Sequence, residues 1–224
     1  GTPAAGAGHS LGEYSAYVAA GTLTATDAAR LVRRRGELML EAGRQRPGAM
    51  AAVLGLPVEA VEGACNEASG PGGIAVAANL NGPDQVVISG DPAGVEKAGE
   101  ACKARGAKRV VPLKVSGAFH SPLMAPAVDG LHDALGGITF SDPAFPVIAN
   151  ASAEPVRTGV DAKRLLVDQL TAPVRWVECM RMAAEVAPGA TYVEIGPGTV
   201  LSGLLKRIVP GATTLALGTA EEVE

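Results

Sequence analysis

Helical and strand-like hydrophobic patterns alternate along most of this chain. Short apolar runs predict strands at residues 49–54, 74–79, 85–89, 110–115, 147–150, 192–195 and 214–217. Apolar positions at helical spacing predict helices at residues 13–20, 25–45, 57–68, 92–105, 122–135, 162–170, 174–185 and 201–208. This alternation is typical of an α/β protein.

The middle of the chain has a pattern of its own. Residues 47–115 follow the order strand, helix, strand, strand, helix, strand, with a turn signal at 80–84. That order predicts a ferredoxin-like lobe inserted into a larger fold. We therefore predict two subdomains, one formed by residues 1–46 together with 116–224 and built on a parallel sheet, the other by residues 47–115.

A nucleophile-elbow pattern, G-x-S-x-G, lies near the start of the chain as Gly8-His9-Ser10-Leu11-Gly12. An apolar stretch precedes it and a predicted helix follows it. A serine on such a strand-to-helix turn has its hydroxyl exposed, and the helix N-terminus offers N–H groups to an oxyanion. The pattern predicts an acyl-enzyme on an α/β-hydrolase-like subdomain, although a glycine-rich structural turn has the same signature.

A serine nucleophile requires a base, and the chain has three histidines. His9 lies inside the elbow and points away if Ser10 is displayed. His132 lies in a helical pattern, where a surface position is expected. His120 lies in a loop between the end of a predicted strand and the start of a predicted helix. In α/β proteins such loops lie at the carboxyl edge of the sheet, where functional residues are found. We therefore expect His120 to be the base.

Three consecutive arginines, Arg33-Arg34-Arg35, lie on the second predicted helix and are followed by Gly36. Two of them are expected on a solvated face. The third can turn inward and hold a carboxylate in a bidentate fork, which lysine cannot do as well.

Composition excludes several function classes. The chain of 224 residues has a net charge of −4, which argues against nucleic-acid binding. No apolar run is long enough to span a membrane, and no secretory signal is evident. Three widely spaced cysteines suit reduced thiols in a cytoplasmic protein and not a disulfide framework, a zinc site or a catalytic cysteine. No metal or organic cofactor is expected.

Taken together, these motifs resemble the malonyl-CoA:acyl-carrier-protein transacylase family of fatty-acid synthesis and, more widely, polyketide synthase acyltransferase domains. The resemblance extends from residue 2 to about 217. Its markers are Gly8–Tyr14, Arg35-Gly36, Gly48-Ala49-Met50, Asn81–Gly90, Gly117–Met124, Gln169 with Pro173–Trp176, and Glu194–Gly198. It implies malonyl-CoA and an acyl carrier protein as partners.

The resemblance also implies roles for individual residues. Ser10 is the nucleophile, His120 the base and acid, and Gln169 orients the His120 ring through its main-chain carbonyl. The resemblance further implies that the Leu11 N–H forms part of the oxyanion hole and that Arg35 binds the malonyl carboxylate. Phe119 would hinder a methyl branch at the α-carbon of the acyl group. His9 and Asn79 would line the acyl pocket. Basic candidates for carrier-protein contact are Arg33, Arg34, Lys114, Lys206 and Arg207.

The chain departs from the family pattern at its start. By the resemblance, members carry a further segment of roughly 80 residues before the elbow strand, which holds a second oxyanion donor whose loss costs on the order of 10²–10³ in rate. We therefore expect an N-terminally truncated chain with weak or no activity. Three alternatives remain open: a serine hydrolase such as a thioesterase, a polyketide synthase acyltransferase domain, and an inactive fragment that binds the carrier protein.

Overall fold

The computed structural model describes residues 2–222; Gly1, Val223 and Glu224, the outermost residues of the predicted large subdomain, lie outside the described residues. The α-helices are α1 (Gly12–Ala19), α2 (Ala25–Gln45), α3 (Val58–Ala68), α4 (Pro92–Ala104), α5 (Val128–Gly136), α6 (Gly159–Asp168), α7 (Trp176–Val186) and α8 (Val200–Ile208). The strands are β1 (Gly6–Ala7), β2 (Ala49–Leu54), β3 (Ala75–Gly82), β4 (Gln85–Gly90), β5 (Arg109–Pro112), β6 (Val147–Ile148), β7 (Pro155–Val156), β8 (Thr191–Ile195) and β9 (Thr213–Leu217). The predicted α/β class is confirmed.

The sheet beside the elbow is small and mixed. β1 pairs in parallel with β6, and β6 pairs antiparallel with β7. The large apolar core lies against this sheet and is built mainly from α1, α2, α5 and α6. The expected parallel pairing therefore holds at the elbow strand, while β7, which no sequence pattern predicted, makes the sheet mixed. A second parallel pair, β8 with β9, lies in the last third of the chain.

The predicted ferredoxin-like lobe is confirmed. Its four strands are antiparallel in the order β3-β4-β2-β5, with α3 and α4 packed together over the sheet. It has an apolar core of its own, which includes Val53, Val86 and Ile88. The division into two subdomains at residues 46/47 and 115/116 stays a prediction.

Several element boundaries differ from the sequence expectation: for example, β5 ends at Pro112 and not at residue 115, and α6 begins at Gly159 and not at residue 162. The predicted turn at 80–84 shrinks to Pro83-Asp84, because β3 continues through two irregularities to Gly82. The predicted helix at 122–135 begins as a 3₁₀ helix, Pro122–Ala127, before α5. Pro126 has no N–H to donate, which accounts for the break.

Close backbone contacts place the segment that leads to His120. A Cβ on Gly43 would lie 2.2 Å from the carbonyl oxygen of Ser116, and a Cβ on Gly48 would lie 2.4 Å from the Cβ of Ala118. Both distances are shorter than real Cβ contacts, so the segment approaches α2 and β2 only because these two residues are glycines.

Among residues 2–222, no helix is long and apolar enough to cross a membrane. The same residues contain no cluster of three histidine, cysteine or acidic side chains arranged to hold a metal ion.

Candidate active site

The elbow joins β1 to α1 through a strained serine. Ser10 has φ 52°, the left-handed region that non-glycine residues rarely adopt, at a cost on the order of 1–3 kcal/mol. Gly8 makes the tight turn possible, because a Cβ there would lie 1.9 Å from the carbonyl oxygen of Gly12. The sharp turn displays the Ser10 side chain at the carboxyl end of β1.

His120 lies against Ser10, as predicted. Its Nε2 is 2.8 Å from Ser10 Oγ, and its Nδ1 is 2.9 Å from the main-chain carbonyl oxygen of Gln169. A carbonyl can only accept a hydrogen bond, so Nδ1 carries the proton and Nε2 is left as the acceptor for the Ser10 hydroxyl. His120 also has a left-handed backbone, with φ 55°. The geometry is that of a nucleophile, a base and an orienting group.

Burial keeps the His120 imidazole neutral. Desolvation, with the positive charge of Arg35 as the next cause, lowers the pKa of His120 to about 4. At neutral pH the imidazole is therefore ready to accept a proton. His9 is partly buried, and desolvation lowers its pKa as well, whereas His132 is 77% exposed on its side chain.

Arg35 lies inward, while Arg33 and Arg34 pair with Glu37 on the solvent side of α2. Arg35 is only 5% exposed, and its Nη2 donates to Ser10 Oγ at 3.0 Å. Within residues 2–222 it has no carboxylate within salt-bridge distance, and its Nε–H has no hydrogen-bond partner. Burying a cation with unused donors is costly, so the arrangement fits an anionic ligand beside the nucleophile.

The main-chain N–H of Leu11 is available to a developing oxyanion. Leu11 precedes α1 and is 51% exposed. In the described part of the chain its N–H donates to no other group. An unpaired N–H at a helix N-terminus, adjacent to the nucleophile, is suited to stabilise negative charge on an attacked carbonyl oxygen.

The remaining predicted pocket residues lie nearby in different settings. His9 is hydrogen-bonded through Nε2 to Asn81 Oδ1 at 2.7 Å and lies edge-on to Trp176. Asn79 is nearly buried on β3, which runs beside Val174. Phe119 packs between the large core and a small cluster on the inserted lobe. Hydrogen bonds join Ser10, His120, Arg35 and Gln169 directly, whereas none links Asn79 or Phe119 to that group among the described residues.

The sequence analysis gave no role to three polar residues of the site: Glu13 and Asn150, which are buried, and Asn81, which is partly buried. Asn150 accepts a hydrogen bond from Ser10 N at 2.7 Å and donates to the Gly8 carbonyl at 2.9 Å, so it fixes both sides of the elbow. Glu13 accepts from Asn150 N at 2.9 Å. Two of these residues could have been found from the sequence. Asn150 is a polar residue just after the strand β6, and Glu13 is an acidic residue on the apolar face of α1.

The basic candidates for carrier-protein contact divide into those that already have an acidic partner and those that do not. Arg33 and Arg34 belong to the first group, because both pair with Glu37. Arg207 pairs with Asp84 and hydrogen-bonds Gln85, so it joins α8 to the inserted lobe. Lys114 and Lys206 are exposed and form no salt bridge with any residue that the structure describes.

Comparison with known proteins agrees with this geometry. Residues 1–216 match the family model described as the acyl transferase domain. The malonyl CoA-acyl carrier protein transacylase of Bacillus subtilis is 47% identical over 224 residues, which are 100% of this chain and 70% of that protein. The protein of the same name from Escherichia coli K12 is 47% identical over 216 residues, covering 96% of this chain and 69% of its relative.

Solved structures give the same result. A malonyl-transacylase in complex with a type II polyketide synthase acyl-carrier protein aligns with a TM-score of 0.94 and 46% identity, over 100% of this chain and 72% of the other. An acyl carrier protein S-malonyltransferase from Vibrio cholerae aligns with a TM-score of 0.94 and 42% identity, over the same shares. The chain belongs to the acyl transferase domain family.

Proposed function

We propose that this chain is an acyltransferase that moves a malonyl group from malonyl-CoA to the phosphopantetheine thiol of an acyl carrier protein, for fatty-acid synthesis. The observation that carries the proposal is the buried Arg35 guanidinium, 3.0 Å from Ser10 Oγ and without a carboxylate partner. A serine hydrolase acting on uncharged acyl groups has no use for such a cation. Similar relatives that are named malonyl CoA-acyl carrier protein transacylases support the same proposal.

The first half-reaction forms an ester on Ser10. His120 Nε2 takes the hydroxyl proton as Ser10 Oγ attacks the thioester carbonyl. The carbonyl oxygen gains negative charge, which the Leu11 N–H stabilises. The C–S bond then breaks, His120 returns the proton to the coenzyme A thiolate, and malonyl-Ser10 remains.

The second half-reaction runs the same chemistry in the opposite direction. The carrier-protein thiol gives its proton to His120 and attacks the malonyl-Ser10 carbonyl. The C–O bond to Ser10 breaks, and Ser10 Oγ takes the proton back from His120. Gln169 supports both steps, because its main-chain carbonyl holds the Nδ1–H tautomer that leaves Nε2 free.

Two residues of the pocket, Arg35 and Phe119, determine which acyl group is accepted. Arg35 offers its unused N–H donors to the malonyl carboxylate, which acetyl lacks. Phe119, held between two apolar clusters, disfavours a methyl branch at the α-carbon, so malonyl is preferred over methylmalonyl. His9 and Asn79 complete the acyl pocket.

Lys114 and Lys206 are the basic residues that we assign to the carrier protein, because acyl carrier proteins are acidic and these two side chains are exposed. A cytoplasmic location is part of the proposal, since Cys65, Cys102 and Cys179 are all free thiols. The proposed chemistry requires no metal or organic cofactor.

The molecule that accepts the acyl group from Ser10 distinguishes a transacylase, which uses the carrier-protein thiol, from a thioesterase, which uses water. Isolated malonyl-Ser10 enzyme, incubated with buffer alone, should lose its acyl group slowly, whereas holo-acyl carrier protein should remove it and become malonylated in equal amount. The measurement is intact-protein mass spectrometry of both proteins over time. Rapid release of free malonate that the carrier protein does not accelerate would identify a hydrolase instead.

A polyketide carrier protein is the second candidate acceptor, because one similar solved structure contains a malonyl-transacylase with a type II polyketide synthase carrier. The chemistry is the same for both acceptors. Comparing transfer rates to the two kinds of carrier assigns the pathway.

The rate of Ser10 acylation should fall at acid pH, when His120 becomes protonated. The pKa is lowered to about 4, so the base stays neutral as pH falls from 8 to about 5.5, and the protonated form that cannot accept a proton appears below that. We expect kcat/KM for Ser10 acylation to be flat between pH 8 and 5.5 and to fall with a midpoint near 4. Acetyl-CoA serves as a control, because it has no carboxylate to titrate. A midpoint at the ordinary histidine value near 6.5 would contradict this account.

A further inference from the structure

Gln169 contacts the base and the carboxylate anchor with different parts of the same residue. Its main-chain carbonyl accepts from His120 Nδ1. Its side-chain Oε1 accepts from Arg35 Nη2 at 3.1 Å, and its Nε2 donates to the Ser10 carbonyl at 3.1 Å and to Glu13 Oε2 at 2.7 Å. The side chain is fully buried, so water does not replace any of these partners.

Glu13 fixes which way the Gln169 amide points. Both groups that face Nε2, a carboxyl oxygen and the Ser10 carbonyl oxygen, act as acceptors, so the NH₂ end must face them. Oε1 must then face Arg35. Reversing the amide would place its oxygen against two acceptors and its NH₂ against a guanidinium, and each buried mismatch costs about 1–3 kcal/mol.

Glu13 is suited to this task by its surroundings. It lies on the buried face of α1, and the same Oε2 also accepts from Asn150 N. Burial raises the pKa of Glu13 to about 7. In either protonation state Oε2 remains an acceptor, because the proton of a neutral carboxyl resides on the oxygen that makes no hydrogen bond, Oε1.

We propose that the side chains of Glu13 and Gln169 form a positioning pair that holds the Arg35 guanidinium beside Ser10 for the carboxylate of the acyl group. This role is separate from the main-chain contact between Gln169 and His120. It rests on the proposed function, and it makes Glu13 and the Gln169 amide determinants of selectivity for carboxylated over uncharged acyl groups.

Gln169→Leu tests the pair, because it removes the amide and keeps the main-chain carbonyl on His120. We expect the malonyl-over-acetyl ratio of kcat/KM for Ser10 acylation to fall roughly 10- to 100-fold, mostly through KM for malonyl-CoA, because a misplaced anchor loses binding geometry. The acetyl rate should fall by a much smaller factor, because any loss from the Ser10 contact lowers both rates alike and cancels in the ratio. An unchanged ratio would overturn the proposal.

Glu13 variants provide the conservative rescue. Glu13→Gln keeps an acceptor oxygen for Gln169 and Asn150 and should retain most of the malonyl preference, whereas Glu13→Leu should lose it. The matched control is Glu194→Leu, because Glu194 also accepts two N–H groups, from Leu201 and Ser202, but lies on β8. That variant should leave the preference unchanged. If Glu13→Leu does not fold, the Gln169→Leu result decides.

A substrate-free readout separates this inference from the proposed function. In ¹⁵N-labelled protein without ligand, we expect slow rotation of the Arg35 guanidinium in the parent chain and faster rotation in Gln169→Leu, with the His120 Nδ1–H tautomer unchanged. The proposal would be overturned if the guanidinium were equally restrained in both proteins. It would also be overturned if Gln169→Leu lost the His120 tautomer and lowered the malonyl and acetyl rates equally. If neither coenzyme A ester acylates the parent chain, the proposed function fails, while the guanidinium comparison still tests the pair.

Discussion

Replacing His120 by Asn slows the acylation of Ser10 by roughly 10²–10⁴-fold, the contribution of a positioned general base. Asparagine is the informative substitution because it tolerates the left-handed backbone at this position, φ 55°, and is too weak a base to accept the proton. The structure predicts so large an effect because His120 Nε2 lies 2.8 Å from Ser10 Oγ and is held neutral by burial.

The measurement is the rate of acyl-enzyme formation from malonyl-CoA under single-turnover conditions. His132→Asn is the matched control, since His132 is exposed on α5 and should leave the rate unchanged. Ser10 and His120 act as one unit, so the double variant Ser10→Ala, His120→Asn should be no slower than the slower single variant. A His120→Asn rate within a few-fold of the parent chain would remove His120 from the mechanism.

Replacing Arg35 by Ala abolishes the preference for malonyl over acetyl. A charge-assisted hydrogen bond to a buried group contributes about 1.5–3 kcal/mol, which corresponds to roughly 10- to 150-fold in the ratio of kcat/KM. The malonyl rate falls because the carboxylate loses its partner. The acetyl rate falls less, because acetyl leaves the guanidinium unpaired in the parent chain.

The comparison requires acylation rates for both coenzyme A esters in the variant and in the parent chain. Arg34→Ala is the control on the same helix, because its side chain is half exposed and pairs with Glu37. A malonyl preference that survives in Arg35→Ala would contradict the assignment of Arg35 as the carboxylate anchor.

The sequence predicted the elbow, the place of His120 beside Ser10 and the ferredoxin-like lobe, because each has a local signature. The G-x-S-x-G turn, the loop position of His120 and the strand and helix order of residues 47–115 are visible in short windows of the chain. The inward position of Arg35 was expected because it is the third arginine of the run and is followed by Gly36. These features depend on spacing along the chain.

Glu13, Asn150 and Asn81 have no such signature. Their partners are distant in sequence: Glu13 lies 137 residues from Asn150 and 156 from Gln169, and Asn81 lies 72 from His9. A glutamate in the first turn of a helix also has an ordinary explanation, the helix dipole, which needs no buried partner. The polar network that fixes the elbow becomes visible only when the fold brings these residues together.

The central claim is that Ser10 carries a malonyl group taken from malonyl-CoA, and intact-protein mass spectrometry tests it most directly. The parent chain should gain about 86 Da, the mass of one malonyl ester, after incubation with malonyl-CoA, and peptide mapping should place it on Ser10. Ser10→Ala should gain nothing, and holo-acyl carrier protein should return the parent chain to its original mass. An adduct of that mass in Ser10→Ala, or no adduct in the parent chain even after prolonged incubation that allows for slow acylation, would contradict the account.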